Sequence, residues 1–479
     1  MMLFNSIAFM FFFPITVLLY FFIPGRFRYI WLLAADYIFY LSQDGGMAGF
    51  IAFSTVLTWV TGGILYDHGG GRRKNVLLFI SLLANFLPLL LLKYTGRTVG
   101  LPGGLRLSDP LIPAGISFYT LQSATYVISC FKREIRPERS FLKYALFVSF
   151  FPCILSGPIE RAADFLPQTD RDGHGFDPLR VKEGLMELLW GYFLKLVIVS
   201  RLSILTDLVY SEYEALSGTA VLFGVIAYSF QIYCDFAGYS HIAFGAARIL
   251  GYNIICNFRQ PYFASSVQDF WRRWHISLST WFRDYLYIPL GGNRRGRLRQ
   301  YVNLMTVFIV SGLWHGADLT FIVWGGLYGL YQVLSLIIRR AAAGPSGKGE
   351  DGRGRAAGKL LRIIITYVIV MLTWIPFRAE SLTEAAGVFL RLFSDNSPVH
   401  LIDGTLFRLG LGVNNLLFAV FALLIVLAVD LSCERRGCMI YELLDNVRRP
   451  FRFGFYYLLV ILILFSANLS TQEFLYQGF

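Results

Sequence analysis

The feature that most constrains this chain is a succession of twelve apolar runs, most of them close to the roughly 20 residues a helix needs to cross a bilayer. They lie at about 4–23, 29–41, 47–66, 76–92, 111–131, 184–210, 218–251, 301–314, 319–338, 360–377, 415–431 and 453–467. Charged residues make up only 15% of the 479, against 56% hydrophobic, so a water-soluble core is excluded and little chain is left for a soluble domain. The expectation is an all-α polytopic membrane protein built as a single domain over residues 1–479. A further apolar stretch at 141–158 holds Pro152, Gly157 and Pro158 and reads as a re-entrant or broken helix buried in protein.

The net charge of +12 comes from short Lys and Arg clusters between the apolar runs. They include Arg26 and Arg28, Arg72 to Lys74, Lys132 to Arg139, Arg294 to Arg299, and the groups at 339–362 and 435–452. Threading the runs in order with the N-terminus outside puts every cluster on one side, which identifies that side as the cytoplasm and explains the charge without nucleic acid. The same threading places the tail at 468–479 outside the cytoplasm. Residues 341–359, rich in Gly, Ala and charge, read as a flexible cytoplasmic linker. The apolar start, without a basic n-region or a small-residue cleavage site, reads as a first transmembrane helix. Six cysteines without C-x-x-C spacing suggest neither a disulfide framework nor a metal site.

Between the runs ending near 251 and starting near 301 lies an aromatic and basic island. At helical spacing, Phe270, Trp271, Trp274, Leu278, Trp281 and Phe282 share an apolar face, which predicts an interfacial amphipathic helix. His275 follows Trp274 within it. His315 stands in VSGLWHGADLT, with an apolar run on each side and Gly312 and Gly316 beside it. A histidine at membrane depth is costly unless it is paired or lines a wet cavity, which makes His315 a functional candidate; a satisfied structural histidine is the competing reading.

Three blocks carry a resemblance: YCDFAGYSHIAFGAARILGY from Tyr233, NFRQPYFASSVQDFWRRWHISLSTWFRDYLYIPLGGNRRG from Asn257, and GLWHGADLTFIVWGGLYG from Gly312. With SFYTLQSATYVISCF from Ser117 and SFFPCILSGPIERAADFLPQ from Ser149, they resemble the membrane-bound O-acyltransferase superfamily, in its bacterial cell-envelope branch of the alginate O-acetylation type. The resemblance implies a ring of about 11–12 transmembrane helices around a thin core, with re-entrant and interfacial helices, and a cytoplasmic funnel leading to the WHG histidine, here His315. The second family histidine falls on His275, which the resemblance makes a second catalytic candidate. One departure is His241, where relatives often carry an aspartate.

Moving an acyl group from a thioester to a hydroxyl needs a base for the hydroxyl proton and a donor for the developing oxyanion. A neutral imidazole, with an unperturbed pKa of about 6.5, suits the first task. His315 is the expected base. Asn257, Arg283, Trp274, Trp314 and the basic loop around Arg294 are candidates for substrate binding or for ordering the site. The chain ends FLYQGF, and the resemblance associates this terminal pattern with an acyl-accepting tyrosine, here Tyr476; an aromatic anchor at the membrane surface is the plainer alternative.

The expected activity is transmembrane O-acyl transfer, with acetyl preferred. The donor is a cytoplasmic thioester, acetyl-coenzyme A or an acyl carrier protein, used as substrate; no bound cofactor and no metal are expected. The expected partners are an extracytoplasmic acyltransferase, a polysaccharide or wall-polymer acceptor and the membrane lipid, in a bacterial cytoplasmic membrane with both termini outside. D-alanyl transfer to teichoic acid and a transporter without bond chemistry are the alternatives; against the transporter stands the lack of an inverted repeat.

Overall fold

The computed structural model of the chain describes residues 2–43, 47–95, 113–170, 175–342, 352–401 and 403–466. Helices are the only regular elements among them. In chain order they are α1 (Ile7–Phe22), α2 (Arg28–Leu41), α3 (Ala48–Asp67), α4 (Arg72–Thr95), α5 (Ile116–Lys132), α6 (Phe141–Ser149), α7 (Phe151–Ile154), α8 (Ala162–Thr169) and α9 (Pro178–Tyr192). A π-helical stretch, Phe193–Val199, leads to α10 (Ser200–Glu212), α11 (Gly218–Leu250), α12 (Val267–Trp271), α13 (Ile276–Phe282), α14 (Arg297–His315) and α15 (Leu319–Ala342). The chain continues through α16 (Gly352–Arg378), α17 (Leu382–Arg391), α18 (Gly412–Arg436), α19 (Ile440–Asp445) and α20 (Arg449–Ser466).

Among the described residues, eight helical segments are long and apolar enough to cross a membrane, which establishes an all-α, multi-pass membrane protein. The other four apolar runs form helices of 16, 14, 17 and 19 residues, α1, α2, α5 and α14. The stretch predicted as a linker is shorter than its composition suggests. Helices reach Ala342 on one side and start at Gly352 on the other, and residues 343–351 between them lie outside the described residues.

The chain forms two compact units. In the first, residues 1–192 with 238–256, the core is aromatic: Phe39 and Tyr239 pack on Phe4, and Phe39 also meets Phe9 and Phe151. The apolar stretch at 141–158 is a broken helix, as its prolines predict. It stops at Ser149 and restarts at Phe151 with Pro152 in the first turn, where a missing N–H does no harm. Asp36 of α2 accepts the Phe151 N–H at 2.8 Å and the Ser149 hydroxyl at 3.2 Å, so the groups freed by the break are satisfied inside the protein. Helices α9 and α11 cross at Gly184, where an added Cβ would stand 2.7 Å from the Gly245 carbonyl oxygen; small residues allow this approach. Two polar pairs flank the crossing, Arg248 with Glu183 and His241 with Glu187, each at 2.5 Å. His241 thus answers a carboxylate on the facing helix.

The second unit comprises residues 193–237 and 257–468. Its π-helical stretch carries Lys195, whose Nζ lies 2.5 Å from Asp235 Oδ1 of α11, with 1% and 2% of the two side chains exposed. Near its C-terminal end α18 holds two anchors one turn apart. Asp430 accepts the Tyr233 hydroxyl at 2.8 Å, and Glu434 lies 2.5 Å from the Arg273 guanidinium. Arg273 also pairs with Asp269 at 3.0 Å, so the segment after α12 is tied on two sides.

Candidate active site

The predicted interfacial helix is two short helices with a turn between them. Hydrogen bonding of α12 ends at Trp271, and His275 takes a left-handed conformation, φ 43 and ψ 55, before α13 starts. The expected lipid-facing surface is buried instead: Phe270, Trp274 and Leu278 are all inside the second unit. The turn is imposed from a distance. Asn257 accepts the Ile276 N–H on its carbonyl at 3.0 Å and the Ser277 N–H on Oδ1 at 3.1 Å, while Arg259 N–H donates to the Arg273 carbonyl at 3.0 Å. Asn257 therefore supplies acceptors to the first N–H groups of α13, a task that a side chain at the N-cap ordinarily performs.

This arrangement fixes the His275 imidazole, 1% exposed, with its ring 4.6 Å from that of Phe236 at a nearly perpendicular angle of 86°. Burial holds its pKa down at about 3, so the ring is neutral at physiological pH. His315 is the last residue of α14 and is likewise 1% exposed. Its ring is walled by Trp314, Trp324 and Phe377 at 4.8, 5.0 and 5.4 Å, each in edge-to-face geometry. The hairpin of α14 and α15 can put Trp324 there because Gly312 and Gly325 let the two backbones meet; a Cβ at either would collide with the Phe321 or Phe308 carbonyl.

Trp314 is common to both histidines, its ring 6.3 Å from His275 and 4.8 Å from His315. Unlike the imidazoles, it is only half-buried. A cavity of about 650 Å³ opens beside this group, lined by Trp271, Phe308 and Ser311, the last one helical turn before His315. Its other walls mix apolar side chains such as Ile276, Leu304 and Val307 with Gln268, Gln300, Gln332 and Ser279, and carry Arg272 and Arg283. Arg339 and Arg340 hold two of these walls by donating to Gln268 Oε1 at 3.0 Å and Gln300 Oε1 at 2.6 Å. His315 itself does not line this cavity. The indole N–H groups of Trp271 and Trp324 are buried and have no hydrogen-bond partner among the described residues.

Of the residues singled out in the sequence, His275, His315 and Trp314 come together. Arg283 lines the cavity, exposed and paired with Asp284 at 2.7 Å. Arg294 does not line it. Trp274 lies off the cavity, packed among Phe270, Phe258 and Trp374, and Asn257 serves the backbone of α13. Tyr476 lies outside the described residues. Sequence reasoning missed Trp324 and Phe377 around His315. Trp324 and Phe377 belong to runs that read as ordinary membrane spans, and the signal available was the density of aromatic rings within them.

Residues 74–372 match the membrane-bound O-acyltransferase family. A "Probable alginate O-acetylase" of Pseudomonas fluorescens is 35% identical over 397 residues, covering 82% of this chain and 76% of the relative. The peptidoglycan O-acetyltransferase of Helicobacter pylori is 32% identical over 423 residues, 81% of this chain and 79% of the relative. The teichoic acid D-alanyltransferase of Bacillus subtilis is more distant, 27% identical over 232 residues, 46% of this chain and 57% of the relative. The chain therefore belongs to the membrane-bound O-acyltransferase family, in its bacterial alginate O-acetylase branch, and is an O-acyltransferase.

Proposed function

We propose that the protein carries an acetyl group from a cytoplasmic thioester, acetyl-coenzyme A or an acylated carrier protein, through the cytoplasmic membrane to a hydroxyl of an extracytoplasmic polysaccharide or wall polymer. The observation that carries this reading is the pair of imidazoles against one indole, a helical turn from a cavity with glutamine side chains and guanidinium groups among its walls. Arg272, Arg283, Arg339 and Arg340 suit the phosphates of a coenzyme A or phosphopantetheine arm. The names of the alginate and peptidoglycan relatives support acetyl as the group and a polymer as the acceptor.

In the reaction, His315 takes the proton of the attacking hydroxyl as its oxygen adds to the thioester carbonyl. The carbon–sulfur bond breaks as the ester forms, the thiolate leaves, and the imidazolium returns the proton to it, so that thiol and ester leave a neutral His315. Trp324 Nε1–H, buried beside the imidazole, is the donor available to the oxyanion. The half-buried Trp314 indole is the ring that moves to admit the reactants. The first acceptor is Tyr476 of the outer tail: a phenol, with a pKa of about 10, leaves nearly as well as a thiol, so the acyl-tyrosine keeps most of the donor's transfer potential. A partner acyltransferase outside then passes the group to the polymer.

The test is purified protein in proteoliposomes supplied with acetyl-labelled coenzyme A, reading thiol release and label on the tail peptide. The wild type should release thiol and label Tyr476. His315→Ala should do neither while eluting as a monodisperse species, and Tyr476→Phe should abolish tail labelling. Undiminished thiol release by His315→Ala overturns the base assignment, and transport of label with the thioester intact overturns the enzyme reading.

A further inference from the structure

We propose that the cleft between α1 and α9 binds one anionic phospholipid from the leaflet that the basic loops face, with an acyl chain in the cleft and the phosphate against Arg180. The cleft lies within the first unit and encloses about 440 Å³. Its walls are Phe9, Phe13 and Val17 on α1 and Val181, Leu185 and Leu188 on α9. The one polar side chain along it, Tyr192, turns its hydroxyl away to donate to the Phe4 carbonyl at 2.9 Å. Such walls offer nothing to water or to a polar ligand, whereas hydrocarbon fills them without loss. From Phe9 to Val17 the wall is about 12 Å long at the helical rise of 1.5 Å per residue, close to half the thickness of a hydrocarbon core of about 30 Å. The cleft is therefore one leaflet deep.

One end of the cleft is cationic. Arg180 directly precedes the wall residue Val181, and Arg28 lies over the ring of Tyr20 at 5.2 Å. Both guanidinium groups are near enough to the Tyr20 hydroxyl to act on it electrostatically. Arg28 is committed to the end of α1, donating to the carbonyls of Ile23 at 3.0 Å and Phe21 at 3.3 Å. Arg180 donates to the Gly175 carbonyl at 2.6 Å, but its Nε is buried without a hydrogen-bond partner, and it pairs with no carboxylate among the described residues. A guanidinium that pairs with no carboxylate among the described residues, at the mouth of a hydrocarbon cleft, matches a phosphodiester whose tails enter that cleft.

The experiment uses the full chain in liposomes containing either phosphatidylglycerol or phosphatidylcholine with a diazirine in the acyl chain. Crosslinked peptides are quantified against those from the rest of the protein. The wild type should concentrate phosphatidylglycerol adducts on peptides spanning α1 and the start of α9, in preference to phosphatidylcholine. Arg180→Gln should lower that preference about fivefold, the effect of removing one basic residue near an anionic headgroup. Leu185→Trp should lower adducts of both lipids in the cleft by filling it; Leu185 is 55% exposed, so the larger ring meets no packed neighbour that would unfold the protein. Unchanged labelling elsewhere on the chain confirms a folded protein in each case. Equal labelling by the two headgroups in the wild type, or a preference that survives Arg180→Gln, overturns the proposal.

Discussion

Replacing Asn257 with Leu tests how the site is held. The side chain is fully buried, and its Oδ1 and backbone carbonyl accept the N–H groups of Ser277 and Ile276 at the start of α13. Leu removes the first of these bonds from a buried N–H, a loss of the order of a helix cap, about 0.5–2 kcal/mol. That loss falls on a turn already under tension, since His275 sits at φ 43, which costs a residue with a Cβ roughly 1–2 kcal/mol. With the bond gone, His275 can relax toward an ordinary conformation and take its imidazole away from Trp314. A shift of about 0.5–2 kcal/mol changes the ratio of held to relaxed turn by roughly 2- to 30-fold. The expected result is a kcat for acyl transfer lowered within that range, with KM for the thioester little changed because Gln300, Gln332 and Arg272 are untouched. Asn257→Asp keeps an acceptor in place and should fall less. The assay is thiol release in proteoliposomes across donor concentrations, with thermal unfolding measured alongside. Equal kcat for wild type and Asn257→Leu, or equal losses for the Leu and Asp variants, would refute the reasoning.

Three other outcomes follow from the structure. Lys195→Met should destabilise the solubilised protein by about 3–5 kcal/mol, because it takes the ammonium away from the buried Asp235 carboxylate, and Lys195→Met with Asp235→Leu should recover most of the loss in thermal unfolding. Gly245→Ala should lower the unfolding midpoint, corresponding to roughly 1–3 kcal/mol, since its Cβ would stand 2.5 Å from the Gly184 carbonyl oxygen where α9 crosses α11. Glu160, buried between α7 and α8 and accepting the Ile255 N–H at 2.7 Å, has its pKa raised by burial to about 8. Its folded value exceeds its unfolded one, so the stability it contributes is complete below about 4.5 and is lost as pH rises through about 8. Glu160→Gln should flatten the fall in stability between pH 5 and 9, and an unchanged pH profile would count against a protonated Glu160.

The membrane class, the order of the spans and the break at 150 were legible because each depends on residues near in sequence: apolar length, and Pro152 at a helix start. The island around His275 was misread for a physical reason. Its apolar positions keep a helical period from Phe270 to Phe282, and neither proline nor glycine marks the turn, so local pattern continues where local hydrogen bonding stops. The turn is dictated by Asn257 and Arg259, more than a dozen residues upstream, and by Asp269 and Glu434 holding Arg273. A non-glycine residue at positive φ has no signature of its own, since the strain is supported by contacts that only the folded chain makes. The π-helical stretch at Lys195 was hidden in the same way, because one extra residue per turn leaves an apolar run looking unaltered. His315 stood out because a lone imidazole between apolar runs is conspicuous; its walls did not, because Trp324 and Phe377 are the residues a lipid-facing span would also contain. What distinguishes a wall from a lipid-facing ring is the partner it meets. For Trp324 that partner depends on Gly312 and Gly325 letting α14 and α15 touch, so the chemistry at His315 rests on two missing side chains as much as on the rings themselves.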